Sequence, residues 1–87
     1  MGKVSEPQLR TYEAANAISA VKVVRHGGGY VVVVQVGPQK THMVVFSQRN
    51  KPRTWKSLDR LVAHLAEVAP SVTRLDLVLK EELKLER

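Results

Sequence analysis

Seven consecutive residues, Tyr30 to Val36, limit the possible folds of this chain more than any other segment. Six of the seven are β-branched or aromatic, which is typical of a β-strand. Alternate side chains of a strand point to opposite faces, and here both faces carry valines. Leaving one face exposed forgoes roughly 1.5–3 kcal/mol for each apolar side chain. We therefore expect the N-terminal helix, an identical subunit or another protein to cover the second face, and we favour a homodimer formed through the sheet.

Further strand and turn signals lie on both sides of this segment. Gly27-Gly28-Gly29 gives the backbone freedom for a tight reversal, and Gly37-Pro38-Gln39-Lys40 makes the next turn. Consecutive strands joined by short turns favour an antiparallel meander. The predicted additional strands are 21–26, 41–48, a short 53–56 and, with alternating leucines, 72–79.

The clearest helix begins after Ser57, a good N-cap, and ends before Pro70. Its apolar residues follow at helical spacing and form one stripe. A shorter helix is predicted over 12–18, capped by Thr11. The predicted fold is α+β: an antiparallel meander of three to four strands, one amphipathic helix packed on one face and a further C-terminal strand. The predicted organisation is a mobile N-terminal arm (1–10), a single domain (11–80) and a charged C-terminal tail (81–87).

Length and composition narrow the class of protein. The 87 residues suffice for one domain, and no apolar run approaches the roughly 20 residues of a membrane-spanning helix. The absence of cysteine removes disulfides, thiolate metal sites and cysteine nucleophiles. We expect a cytoplasmic protein without membrane contact.

The net charge of +6 is concentrated in one region. The stretch from Lys22 to Arg60 contains eight lysines and arginines and one acid, Asp59, and so carries a net charge of +7. The rest of the chain contains six bases and seven acids and carries a net charge of −1. A regional excess of this kind is expected where one surface meets a polyanion. The alternative is a solvated basic face that binds nothing.

The segment that precedes and opens the long helix concentrates this charge around one aromatic residue. Its cations can pair with phosphates. Trp55 either stacks on a base or anchors the helix to the sheet, and the scarcity of other large residues favours the anchor. The predicted nucleic-acid-binding residues are Arg49, Lys51, Arg53, Trp55, Lys56 and Arg60, extended by Lys22, Arg25 and Lys40.

No pattern in the chain predicts catalysis. His26, His42 and His64 lie in different elements, and no nucleophile has an adjacent base. Clustered metal ligands are missing, and the glycine triplet lacks the lysine and following helix of a phosphate loop. We predict no enzyme, no metal and no cofactor.

Two stretches carry a resemblance to a known group of proteins. Thr-Tyr-Glu-x-Ala-x-Ala-Ile at 11–18 and Pro-Arg-Thr-Trp-Lys-Ser-Leu-Asp at 52–59, with a valine-rich hairpin between them, resemble short proteins of bacterial plasmids and integrative elements, some of them partition-associated. The resemblance covers roughly residues 10–80. It implies an accessory protein that works with DNA or with a DNA-bound segregation or transfer complex, and it assigns no functional residue.

Two functions follow as hypotheses. The first is a nucleic-acid-binding accessory protein, for DNA rather than RNA, acting in maintenance, partition or regulation. Without a helix that carries several groove-reading side chains, we expect low sequence specificity, or binding to a single-stranded nucleic acid, and no operator reading. The alternative is an adaptor that uses an exposed sheet face or edge to bind a partner protein.

Overall fold

The structure is a computed structural model that describes residues 2–79. The predicted C-terminal tail, 81–87, lies outside the described residues. Within the described part, no helix is both long and apolar enough to cross a membrane.

The sheet has five strands in the order β1-β4-β3-β2-β5. The three central strands form an antiparallel meander, because β3 pairs with β2 on one side and with β4 on the other. The edge strands β1 and β5 run parallel to β4 and β2 respectively. The α+β class, the meander and the C-terminal strand are thus confirmed, and the mixed sheet gains an N-terminal strand. The strands are β1 (Gly2–Val4), β2 (Ile18–His26), β3 (Gly29–Val36), β4 (Thr41–Val45) and β5 (Asp76–Val78).

The glycine triplet forms the hairpin turn that the sequence predicts. His26 pairs with Gly29, which leaves a two-residue loop. Gly27 and Gly28 have φ values of 58° and 82°. Two-residue hairpin loops of this backbone shape strongly favour glycine, since other residues adopt positive φ at a cost.

Two helices, α1 (Glu6–Ala14) and α2 (Leu58–Val68), pack on the same face of the sheet. Leu9 of α1 and Leu61 and Leu65 of α2 share one core cluster with the valines of that face. Helix α2 begins after the predicted N-cap, Ser57. The helix predicted over 12–18 is wrong in position, because a capping box at Ser5 starts α1 at Glu6.

The mobile N-terminal arm predicted over 1–10 is also wrong. Residues 2–4 form β1, and residues 6–10 belong to α1. Val4 and Leu9 are each only 1% exposed, so both are part of the core. This segment belongs to the fold because Val4 and Leu9 both lie in the core cluster between the helices and the sheet.

The second face of the sheet carries a smaller apolar cluster that is itself buried. Val24, Val31, Val33 and Val44 are each at most 3% exposed, and Phe46 and Val78 pack against them. Because α1 lies on the other face, the expectation that it covers these valines is wrong. Their burial in a single chain also removes the premise that an exposed valine surface requires a second subunit.

Of the predicted strands, 41–48 ends already at Val45, and two others depart further from the structure. Only Asp76–Val78 of 72–79 is a strand, and its leucines do not all point inward, since Leu77 is 40% and Leu79 67% exposed. The chain over 52–56 makes isolated bridges instead of a strand, pairing Pro52 with Phe46 and Trp55 with Tyr30. Proline cannot donate a ladder hydrogen bond, which limits regular pairing here.

Candidate nucleic-acid interface

Residues 47–60, here called the basic segment, connect β4 to the first turn of α2 and are fixed to the sheet by backbone hydrogen bonds. The Ser47 N–H donates to the Lys51 carbonyl at 2.7 Å and closes a tight turn. The Arg53 N–H donates to the Val45 carbonyl at 2.9 Å. Tyr30 and Trp55 exchange two hydrogen bonds of 2.8 and 2.9 Å. The cations of this segment are therefore carried by a backbone with defined geometry.

Trp55 serves as the anchor of the basic segment. Its side chain belongs to the core cluster on the helix face, and the residue is only 8% exposed. A ring buried to this extent does not offer a face to a nucleobase, so the inclusion of Trp55 among the binding residues is wrong. The alternative that the sequence favoured, a core aromatic joining helix and sheet, is confirmed.

Arg53 is the most constrained cation of the segment. Its guanidinium carbon lies 4.9 Å from the centre of the Trp55 ring, and its Nη1 lies 3.4 Å from Glu6 Oε1. The side chain keeps 41% of its surface exposed. Arg53 therefore remains accessible, but its charge is partly offset by a carboxylate from α1.

Glu6 connects α1 to both α2 and the basic segment. Besides Arg53, its carboxylate lies 2.8 Å from His64 Nε2 and 3.7 Å from Arg10 Nη2. Arg10 in turn lies 3.7 Å from Glu67. Each of these pairs is partly solvent-exposed, so each contributes at most about 1 kcal/mol. Their main consequence is geometric, because they align the N-terminal half of α1 with α2.

The four remaining cations of the basic segment are exposed, and no carboxylate of the described residues lies within ion-pair distance of them. Among residues 2–79, no ion pair within 4.0 Å involves any of them. Helix α2 starts next to them, with the Arg60 N–H donating to Ser57 Oγ at 3.3 Å. These residues are Arg49, Lys51, Lys56 and Arg60.

The three further predicted binding residues, Lys22, Arg25 and Lys40, lie in different parts of the sheet and its turns, and one of them is next to the basic segment. Arg25 pairs with Tyr30, which pairs with Trp55, so these three residues are lateral neighbours at the end of the sheet where the basic segment lies. Lys22 points to the opposite face, since Val21 and Val23 on either side of it belong to the helix-face core. Lys40 lies in the turn after β3, at the far end of that strand. Only Arg25 thus joins the predicted surface.

Lys3 is a cation near the basic segment that sequence reasoning missed. Its Nζ lies 3.4 Å from Asn50 Oδ1 and 5.0 Å from the centre of the Phe46 ring. The prediction of a mobile arm excluded it. A capping-box pattern, Ser5 with Gln8 and a proline between them, was the available signal that an ordered helix begins at this point.

Neither metal ligation nor known relatives give a further indication of function. Over residues 2–79, no three His, Cys, Asp or Glu side chains form a group that suits a metal ion. No protein-family model, curated protein or solved structure matches this chain.

Proposed function

We propose that this chain is a small nucleic-acid-binding accessory protein whose basic segment contacts phosphates. The observation that carries the proposal is a set of four exposed cations that form no ion pair within the described residues and lie on a backbone hydrogen-bonded to the sheet. Cations carried by a backbone of defined geometry pair with phosphate oxygens at a smaller entropic cost than cations on a free tail. These residues are Arg49, Lys51, Lys56 and Arg60.

The proposed contacts position the nucleic acid and do not specify its sequence. Lysine and arginine contacts to phosphate carry no base information by themselves. Helix α2 packs onto the sheet through Leu61, Leu65 and Val68, and only its first turn brings a cation, Arg60, to the basic segment. Low sequence specificity is the expected result.

Salt dependence tests this mechanism, because each phosphate contact releases condensed counterions. For duplex DNA the slope of log K against log salt is about −0.9 for each contact. The decisive variant combines Lys51→Gln with Lys56→Gln. Two lost contacts reduce the magnitude of the slope by about 1.8, twice about 0.9, measured by fluorescence anisotropy on a labelled duplex across a salt series.

The matched control combines Lys22→Gln with Lys40→Gln. This control also removes two positive charges, but Lys22 lies on the face of the sheet opposite the helices and Lys40 at the end of the sheet far from the basic segment. The salt slope should therefore stay near that of the unmodified chain. Equal reductions in the two double variants would show that net charge alone drives binding. An affinity that does not change with salt in the unmodified chain would contradict the proposal outright.

We further propose a bacterial plasmid or mobile element as the setting and DNA as the nucleic acid, in the cytoplasm. The resemblance of residues 11–18 and 52–59 supports this setting. A segregation or transfer complex is the corresponding protein partner. Genes for segregation or mobilisation next to the coding sequence are expected, and their absence from several genomic neighbourhoods would contradict this setting.

Neither the homodimer nor the adaptor is needed for the proposed binding. The homodimer prediction depends on exposed valines, and those valines are buried in one chain. It stays a prediction, which the native mass of the purified protein tests. The adaptor loses an open apolar sheet face for the same reason, and its remaining sites are the three-residue edge strands β1 and β5.

A further inference from the structure

A cleft of about 410 Å³ opens beside the basic segment, between the start of α1 and the end of β4. Ser5, Glu6 and Pro7 line one side, and Phe46 with the turn that follows it lines the other. Its volume falls within the range of small-ligand sites, roughly 300–1,000 Å³. Two cations of the predicted surface, Arg49 and Arg53, also line it.

The lining groups suit an unpaired nucleotide. Phe46 is half-buried: it packs in part against the valine cluster of the second face and also lines the cleft, in contrast to the buried Trp55. Aromatic rings stack on any nucleobase, since every base has a π-face. Arg49 supplies a cation for the phosphate next to that base. Ser47 and Gln48 bring side-chain donors and acceptors to the same wall.

The charges around the cleft favour a nucleotide held by its base with the phosphate at the rim. Glu6 places a carboxylate in the lining, but that carboxylate is already 3.4 Å from Arg53 and 2.8 Å from His64. A phosphate is therefore repelled from the Glu6 side and attracted toward the exposed Arg49. Lys3 is a further cation near the ring, with its Nζ 5.0 Å from the centre of the Phe46 ring, although Lys3 does not itself line the cleft.

We propose that this cleft receives one unstacked nucleotide of a single-stranded nucleic acid, with the base against Phe46 and its phosphate on Arg49. The inference rests on the proposed function and names its ligand class. A base inside a duplex keeps its faces stacked on its neighbours and does not reach the ring. Single strands are thus bound more tightly than duplexes of equal length.

The test compares Phe46→Leu and Phe46→Trp on a labelled single strand and on a duplex. Loss of base–aromatic stacking, about 1–3 kcal/mol, corresponds to a roughly five- to 150-fold weaker affinity. We expect that loss for Phe46→Leu on the single strand only, with affinity kept by Phe46→Trp, which retains a ring. If Phe46→Leu does not fold, Gln48→Glu is used, and the ratio of single-strand to duplex affinity should fall.

The outcomes separate this inference from the proposed function. If both Phe46 variants and the unmodified chain bind the single strand with equal affinity and the salt slope is unchanged, the cleft does not bind a nucleotide, but the proposed function stands. Salt-independent or absent binding to both oligonucleotides overturns the proposed function and the cleft together. A loss of duplex affinity in Phe46→Leu equal to its loss of single-strand affinity also overturns the cleft.

Discussion

At the scale of single residues, Glu6 controls how much positive charge the basic segment presents. Its carboxylate meets Arg53, His64 and Arg10, so one acid offsets the cation held against the Trp55 ring. The four other cations have no such partner among residues 2–79. Removing the negative charge of Glu6 should therefore strengthen nucleic-acid binding while the other side chains of the basic segment stay as they are.

Glu6→Gln is expected to raise nucleic-acid affinity severalfold. The freed Arg53 gains one phosphate contact, which steepens the salt slope by about 0.9. Because these ion pairs are partly exposed, we expect the free energy of unfolding to fall by no more than about 1 kcal/mol for each lost pair. Anisotropy titrations and urea unfolding measure the two effects.

The matched control for this variant is Glu13→Gln, which changes the net charge equally. Glu13 accepts hydrogen bonds from Ser71, from its N–H at 2.9 Å and its hydroxyl at 2.6 Å, and contacts no cation of the basic segment. Its affinity should stay close to that of the unmodified chain. The same gain in both variants would mean that overall charge, and not Arg53, is responsible.

At the scale of elements, the hairpin β2–β3 and the basic segment are in direct contact at Gly29. A β-carbon built on Gly29 would collide with Thr54 Cγ2 and lie 3.0 Å from the Trp55 carbonyl oxygen. The glycine is therefore required by the close approach of two backbones. The same contact lies next to the bridge between Trp55 and Tyr30, and so helps to fix the position of the chain just before Lys56 and α2.

Gly29→Ala should destabilise the chain by about 1–3 kcal/mol, as overpacking does, and displace the Trp55 segment. Trp55 is the single tryptophan, so its fluorescence reports the displacement. Gly27→Ala is the comparison, since a β-carbon there meets nothing within 4 Å, although the φ of 58° makes alanine strained. A Trp55 emission unchanged in Gly29→Ala, or shifted equally in Gly27→Ala, would contradict this contact.

The elements also show what a single sequence reveals. Helix α2 was predictable because Ser57, Leu61 and Leu65 give a cap and a periodic stripe. The sequence misplaces helix α1 because Leu9 is its one buried residue, and a single buried residue gives no periodic apolar stripe to detect. It misses β1 because a strand of three residues is too short to show an alternating pattern. For the site, local charge density identified the basic segment. The partner of Arg53 was not visible, since Glu6 lies 47 residues away.

At the scale of the whole molecule, α1 and α2 run side by side in the same direction. Glu6 meets His64, Arg10 meets Glu67, and Glu13 meets Ser71. The first residues of the described chain are thus tied to its centre, through β1 in the sheet and through α1 against α2. The N-terminal segment is a structural part of the domain and carries one wall of the cleft.

Leu9→Ala should therefore lower the free energy of unfolding by about 2–5 kcal/mol, as large-to-small changes in cores do. Leu79→Ala, at a leucine that is 67% exposed, is the matched control and should change it by no more than about 0.5 kcal/mol. Urea unfolding of both variants measures the difference. Equally small changes in the free energy of unfolding for both variants would indicate that the N-terminal residues lie outside the folded core.

The most direct test of the central claim is to map where a short single-stranded oligonucleotide shifts the amide NMR signals of the labelled chain. We expect the largest shifts in residues 47–60 and at Lys3 and Phe46, with little change at Lys22 and Lys40. The largest shifts on the face of Lys22 or in the turn of Lys40, with residues 47–60 unmoved, would contradict the assignment of the basic segment as the phosphate-binding surface.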